Sequence, residues 1–252
     1  MTASLSPPPR NRMATERSLA WRLSQILARV LTTLLFDLKV TGLENIPATG
    51  GALLVSNHQS NLDPVLLAVR LKRPLNYIAK SELFENPIGA QLLRSVFNAF
   101  PVHQGTGDIA AVKETIHRLR EGHLLNLYPE GGRTESGEIG PLLRGVGLIV
   151  HRAGVPVIPV IIEGSFHAWP MQRAMFRPWP VRVAYGPPMQ LADMSPDEIV
   201  ATIDQTLRRM FAELRARSTS NPVSTGGLAR GSGEAPEGRL RRSDRGGFLR
   251  VS

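Results

Sequence analysis

The sequence predicts an α/β fold: a single domain with a largely parallel central sheet flanked by helices, preceded by an amphipathic N-terminal helix. Three observations carry this prediction. Short apolar runs alternate with segments of helical period between residues 39 and 216, at the spacing of strand–helix–strand units. The runs ALLVS (52–56) and VIPVII (157–162) are apolar without alternation, as expected of strands covered on both faces. A chain of 252 residues, 42% hydrophobic and 20% charged, has enough apolar mass for the core of one or two domains.

Each element has its own signal. Residues 1–15 are Pro-rich and polar and are predicted disordered. Within residues 16–38, Leu19, Leu23, Ile26, Leu27, Val30, Leu34 and Leu38 recur at steps of three and four, giving a helix with a broad apolar face. Arg22 and Arg29 share its other side, and Trp21 sits where an indole suits a membrane interface; such a helix can lie in a lipid surface or pack on the protein's own core. Residues 42–51 read as an edge segment and turn, followed by a strand at 52–56. Asp63-Pro64 opens a helix to about Leu71, Asp as cap and Pro at the first helical position. Then come a strand at 76–79, a helix at 86–96, a strand at 100–102 and an amphipathic helix at 108–121. The pattern continues with a strand at 124–128, a polar loop PEGGRTESGEIG, a helix at 142–152, and strands at 155–162 and 181–185. A helix from Pro196 to Leu214 closes the domain. In 155–162, Pro156 and Pro159 remove ladder donors and mark the strand's start or an irregular edge.

The formal net charge is +9, and its placement limits the partners. Residues 1–35 hold five arginines against Glu16, and residues 217–252 hold seven arginines against three acids, so the middle of the chain is close to neutral. Duplex binders present basic residues on a structured face, so no nucleic-acid partner is expected. Residues 217–252 are rich in Gly and poor in apolar groups and read as a disordered basic tail. The absence of cysteine excludes a disulfide framework, thiol catalysis and a cysteine metal site. None of the six histidines stands in a His-x-x-x-His or His-Glu-x-x-His pattern, so no metal is expected. No apolar run reaches the roughly 18 residues of an ordinary spanning helix. A secretory signal is not expected, because Arg22 and Arg29 break the first apolar segment.

Two segments carry candidate chemistry. In VSNHQSNLDP, His58 falls just beyond a strand's carboxyl end and Asp63 five residues later. A folded loop would let Asp63 hold one imidazole nitrogen while the other faces a cleft as a general base for a hydroxyl. Spacing alone leaves a second reading open, in which Asp63 only caps its helix. In YPEGGRTESG, also directly after a strand, Glu130 and Arg133 bracket Gly131 and Gly132. Arg133 can hold a phosphate with two parallel bonds, and the glycines allow close backbone approach, although an ordinary Glu–Arg surface pair would also explain the spacing. Neither a P-loop nor a dinucleotide fingerprint is present.

Taken in order, NHQSNLD, YPEGGR and GVPVIPV resemble three motifs of the lysophosphatidic acid acyltransferase family, the glycerolipid acyltransferases with an Asn-His-x4-Asp signature. The resemblance covers about residues 38–192 and implies a glycerolipid-acyltransferase-like domain over 39–216. It implies an O-acyltransferase that moves a fatty acyl group from acyl-CoA or acyl-ACP, as co-substrate rather than bound cofactor, to the free hydroxyl of a lysophospholipid. The acceptor implied is 1-acyl-glycerol-3-phosphate and the product phosphatidic acid. His58 would be the base and Asp63 its orienting partner. Asn57, Glu130, Gly131 and Arg133 would bind the acceptor or shape the loop around it. The implied location is the cytoplasmic face of the cell membrane, peripheral or monotopic, on an anionic surface.

Two departures bear on the acceptor. The family's second motif places Arg after a Pro-Val strand, and here FPVHQG has Gln104 at that place, after His103. The third motif's usual Thr is Gly132. His103 or Arg144 can restore the missing positive charge, or the acceptor is a different lysolipid, such as a lyso-ornithine lipid or one with a larger head group.

Overall fold

The computed structural model of the protein describes residues 19–102 and 109–220. Seven strands, β1 (Lys39–Thr41), β2 (Ala52–Ser56), β3 (Leu75–Lys80), β4 (Ala99–Val102), β5 (Leu124–Leu127), β6 (Val157–Glu163) and β7 (Arg182–Tyr185), form one sheet in the order β1-β7-β6-β2-β5-β3-β4. Every neighbouring pair is parallel except β6 with β7. The helices are α1 (Leu19–Phe36), α2 (Asp63–Ala68), α3 (Pro87–Phe97), α4 (Ile109–Arg120), α5 (Gly145–Ala153), α6 (Ser165–Ala168) and α7 (Pro196–Ser220). The α/β class and the flanked, mostly parallel sheet are as the sequence predicts.

The non-alternating strands are central for the reason anticipated: both faces of β2 and β6 are covered. Leu54, Ile158, Val160 and Ile162 pack with Phe36 at the end of α1 and with Leu66 and Leu67 of α2. On the opposite face Leu53, Val55 and Ile161 pack with Val146 and Ile149 of α5 and with Ile199, Ile203 and Leu207 of α7. Each such side chain contributes roughly 1.5–3 kcal/mol on burial, which makes these two strands the most firmly held part of the sheet. Gly147 lets α5 meet the start of α7, since a Cβ there would stand 2.1 Å from the Pro196 carbonyl oxygen.

One local reading changes and two are settled. Pro159 lies inside β6, at an interruption of its antiparallel partner rather than at a strand start. Val157 bridges Met189 and Val160 pairs with Tyr185, so the partner carries one extra residue beside Pro159, whose missing donor therefore costs no ladder bond. Asp63 is the first residue of α2, not its cap; Leu62 holds the cap position without a side-chain bond. On α1 the arginine side faces the protein: Arg29 Nε turns inward to the Val69 carbonyl at 2.7 Å, at the end of α2, where a cation suits unpaired helix carbonyls. The outward face is apolar, with Ile26, Leu27, Val30, Leu31 and Leu34 exposed. The side chains of residues 19–24 lie outside the described residues, as do residues 1–15, the positions of His103 and Gln104, and residues 221–252. No described helix is long and apolar enough to cross a membrane.

Candidate active site

The site lies beyond the carboxyl ends of the adjacent strands β2, β5 and β6, the edge at which open α/β sheets hold their ligands. The segment after β2 folds back on itself. Asp63 Oδ2 accepts from His58 Nδ1 at 2.8 Å and from the backbone N–H groups of Gln59 at 2.6 Å and Ser60 at 2.8 Å. Asp63 is fully buried, and a carboxylate can only accept, so the proton of this contact sits on His58 Nδ1. Nε2 is left with its lone pair, and the ring keeps 17% exposure. The pairing foreseen at spacing five is therefore present, and the carboxylate serves the loop and the imidazole instead of the helix end.

The segment after β5 encloses the same histidine. Tyr128 stacks on the imidazole, ring centroids 3.8 Å apart and planes 13° from parallel. Glu130 grips two backbone donors, His58 N–H on Oε1 at 2.9 Å and Gly140 N–H on Oε2 at 2.7 Å. Burial raises the Glu130 carboxyl above its ordinary value, and the bonds from Gly140 and His58 pull it part of the way back. Thr134 N–H donates to the His58 carbonyl at 2.8 Å, so the loop carrying Arg133 is fixed against His58. Gly131 has φ 71° and a Cβ there would meet Leu143 Cδ1 at 2.6 Å, which explains glycine at this turn. Arg133 is half-buried and its guanidinium has no hydrogen-bond or ion-pair partner among the described residues. Arg144 is exposed at the start of α5; Leu143 beside it donates to the Pro129 carbonyl at 2.8 Å, which closes the two ends of the β5–α5 connection on each other.

Asn57 is placed for the loop-shaping one of the two roles the resemblance implies. It is buried and bonds both ends of its amide to Ile162 of β6, Nδ2 to the carbonyl at 2.9 Å and Oδ1 from the N–H at 2.8 Å. It thus shapes the loop rather than facing a ligand. Gln59, Ser60 and Tyr128 are participants without an assigned role in the sequence reading. Gln59 bonds the Gly137 carbonyl at 2.8 Å and Ser60 Oγ the Trp169 carbonyl at 2.8 Å, fastening the histidine loop to its neighbours on both sides. For Gln59 and Ser60 the only sequence signal is adjacency to His58, and for Tyr128 its place at the head of YPEGGR. Among the described residues no cluster of three metal-ligating side chains is present.

A buried carboxylate, an oriented imidazole with one free nitrogen, and an unpaired guanidinium on the adjoining loop define a centre for general-base activation of a hydroxyl near an anion. An acyltransferase family model matches residues 37–163. The 1-acyl-sn-glycerol-3-phosphate acyltransferase of Bacillus subtilis is 28% identical over 190 residues, 74% of this chain and 92% of that protein. The mouse 1-acyl-sn-glycerol-3-phosphate acyltransferase alpha is 28% identical over 206 residues, 80% of this chain and 72% of its own. The crystal structure of the 1-acyl-sn-glycerophosphate acyltransferase PlsC from Thermotoga maritima superposes with a TM-score of 0.67 at 28% identity, covering 78% of this chain and 81% of that one. The chain belongs to the acyltransferase family, and its activity is acyl transfer.

Proposed function

We propose that the protein acylates the free hydroxyl of 1-acyl-glycerol-3-phosphate, giving phosphatidic acid, with acyl-CoA or acyl-ACP as donor. The observation that carries this reading is the His58–Asp63 pair beside the unpaired Arg133. His58 Nε2 takes the acceptor's hydroxyl proton as its oxygen bonds to the thioester carbonyl carbon. The C–S bond breaks, the thiolate leaves, and the imidazolium returns the proton to sulfur. Asp63 holds the tautomer and steadies the charge that appears on the ring. No acyl-enzyme is needed, because the thioester is already activated. Arg133 pairs with the acceptor phosphate. The relatives' names, which give 1-acyl-sn-glycerol-3-phosphate as their substrate, support this acceptor.

The enzyme works at the cytoplasmic face of the cell membrane as a peripheral or monotopic protein on an anionic surface. The exposed apolar face of α1 supports that placement, with the basic segments at the two ends of the chain assisting. Gln104, standing where the family has Arg, favours a second reading in which the acceptor is another lysolipid, such as a lyso-ornithine lipid. The test is purified protein with acyl-CoA or acyl-ACP and three acceptors, 1-acyl-glycerol-3-phosphate, a lyso-ornithine lipid and a lysophosphatidylcholine, reading product lipid by mass. The phosphomonoester should be preferred, and folded His58→Ala should lose about 10²–10⁴-fold in turnover. Preference for another acceptor selects the second reading; near-parental turnover by the variant removes the base mechanism.

A further inference from the structure

We infer that residues 169–179 form a second lipid-contacting lobe which, together with α1, seats the catalytic loop on an anionic bilayer. The inference rests on the acyltransferase reading and adds a surface to it. The lobe connects α6 to β7 and belongs to neither hydrophobic core. Its sequence, WPMQRAMFRPW, would be a poor choice for a face turned to water: Met171, Met175, Phe176 and Trp179 are all exposed, Met175 at 76%.

The lobe has fixed internal structure. Trp169 Nε1 donates to the Arg173 carbonyl at 2.9 Å, the Arg177 N–H donates to the Ala168 carbonyl at 2.8 Å, and the rings of Trp169 and Phe176 lie 6.1 Å apart, edge to face. The apolar side chains are thus held outward by the chain's own bonds.

Charge identifies the partner. No acidic residue occurs from Gly164 to Ala192. Arg173 and Arg177 have no ion-pair partner among the described residues, and the Arg177 guanidinium lies 4.8 Å from the centroid of the Trp179 ring. Tryptophan beside arginine, with methionines projecting past them, suits the boundary between acyl chains and anionic head groups. The surface is also continuous with α1. Phe176 meets Phe36 at the helix end with ring centroids 5.9 Å apart, and the Val181 N–H donates to the Phe36 carbonyl at 2.8 Å. Leu34, 76% exposed, extends the same apolar surface along the helix.

One residue ties the lobe to the chemistry. Ser60 donates its hydroxyl to the Trp169 carbonyl and its backbone N–H to Asp63 Oδ2, both at 2.8 Å. Lipid contact at the lobe therefore sets the catalytic loop at the depth where a lysolipid hydroxyl lies.

The experiment uses the full chain and two single variants, Met175→Asp and Arg173→Glu, with Leu34→Glu marking the α1 surface. Binding is read by co-sedimentation with vesicles of phosphatidylcholine alone or mixed with phosphatidylglycerol, at two salt concentrations. Activity is read on vesicle-presented and detergent-dispersed lysolipid, and folding by melting temperature. Met175→Asp should weaken binding to both vesicle types on the order of tenfold, the scale of one buried apolar side chain. Arg173→Glu should weaken binding to the anionic vesicles only, and more at low salt. Both should lower activity on vesicles and keep it in detergent. Vesicle binding unchanged in both lobe variants while Leu34→Glu detaches the protein overturns the lobe and leaves α1 as the only contact. Equal activity loss in detergent and on vesicles overturns it in favour of a packing role through Ser60. If the parental protein acylates no lysolipid in either presentation, the acyltransferase reading fails, and that outcome is separate from the binding result.

Discussion

Glu130→Gln separates two roles for the acid in the YPEGGR loop, contact with the acceptor and support of the catalytic histidine. Glu130 accepts from two backbone donors, one on each oxygen. Glutamine has a single acceptor oxygen, so either His58 N–H or Gly140 N–H comes to face an NH2 group. A hydrogen bond to a charged group is worth roughly 1.5–3 kcal/mol, and the relief of placing an uncharged amide in a partly buried site returns some of it, leaving a net cost of about 1–2 kcal/mol. For a domain of roughly 200 residues, that is a fall in melting temperature of roughly 2–8 °C. The sign with pH follows from the raised carboxyl. Between the ordinary carboxylate value and the raised one, the folded protein holds a proton there that the unfolded chain has released, so the wild-type contribution is full below the ordinary value and declines as pH rises through the raised one. The stability gap between wild type and variant should therefore be narrower at pH 7 than near pH 4. Because the lost bond also frees the His58 backbone, kcat should fall about 10–100-fold with little change in acceptor KM. Scanning calorimetry at several pH values and steady-state kinetics decide it. A variant with parental melting temperature and kcat but a raised acceptor KM would refute the support role and return Glu130 to the acceptor.

Three further outcomes follow from the same geometry. Asp63→Asn keeps an oxygen for the Gln59 and Ser60 amides but loses the charge facing His58 Nδ1, so turnover should fall at least about 10²-fold with a melting temperature within a few degrees, by kinetics and calorimetry. The Tyr128 hydroxyl is buried with no partner among the described residues, so Tyr128→Phe should keep the imidazole stack and turnover and melt no lower than wild type, whereas Tyr128→Ala should cost about 3–5 kcal/mol in urea unfolding. Arg133→Lys retains charge and loses the planar fork; acceptor KM should rise more than donor KM, and equal changes would assign Arg133 to loop architecture.

Most of the sheet and the long helices were legible because hydrophobic period and Gly, Pro and Asn punctuation agree over many residues. Asn86 caps α3 as its sequence position suggests, and Gly154 ends α5 in the left-handed conformation. What escaped was short or decided at a distance. β1 has three residues with no buried one, and α6 has four, too few for either period to register. The reversed direction of β7 depends on a crossover that local sequence does not encode. At the site, the His58–Asp63 pairing was one of two readings that spacing left open, and the motif resemblance favoured it, but the donors on Glu130 and the Asn57–Ile162 bonds were not foreseen. Those contacts join groups 10, 72 and 105 positions apart, and a backbone N–H leaves no mark in the sequence.

Those same bonds decide how the site comes into being. His58 is held by its N–H and carbonyl from one distant segment, and its neighbour Asn57 is locked to the middle of the sheet. A site stitched from three crossing connections cannot exist in a half-folded chain, because each stitch requires β2, β5 and β6 to have paired first. The amides of His58, Thr134 and Ile162 should thus exchange with solvent only when the whole domain opens, while those of the outer strands β1 and β4 open alone. Activity should accordingly be lost in the same transition as the global fold, while fraying at the sheet's edges should leave it in place.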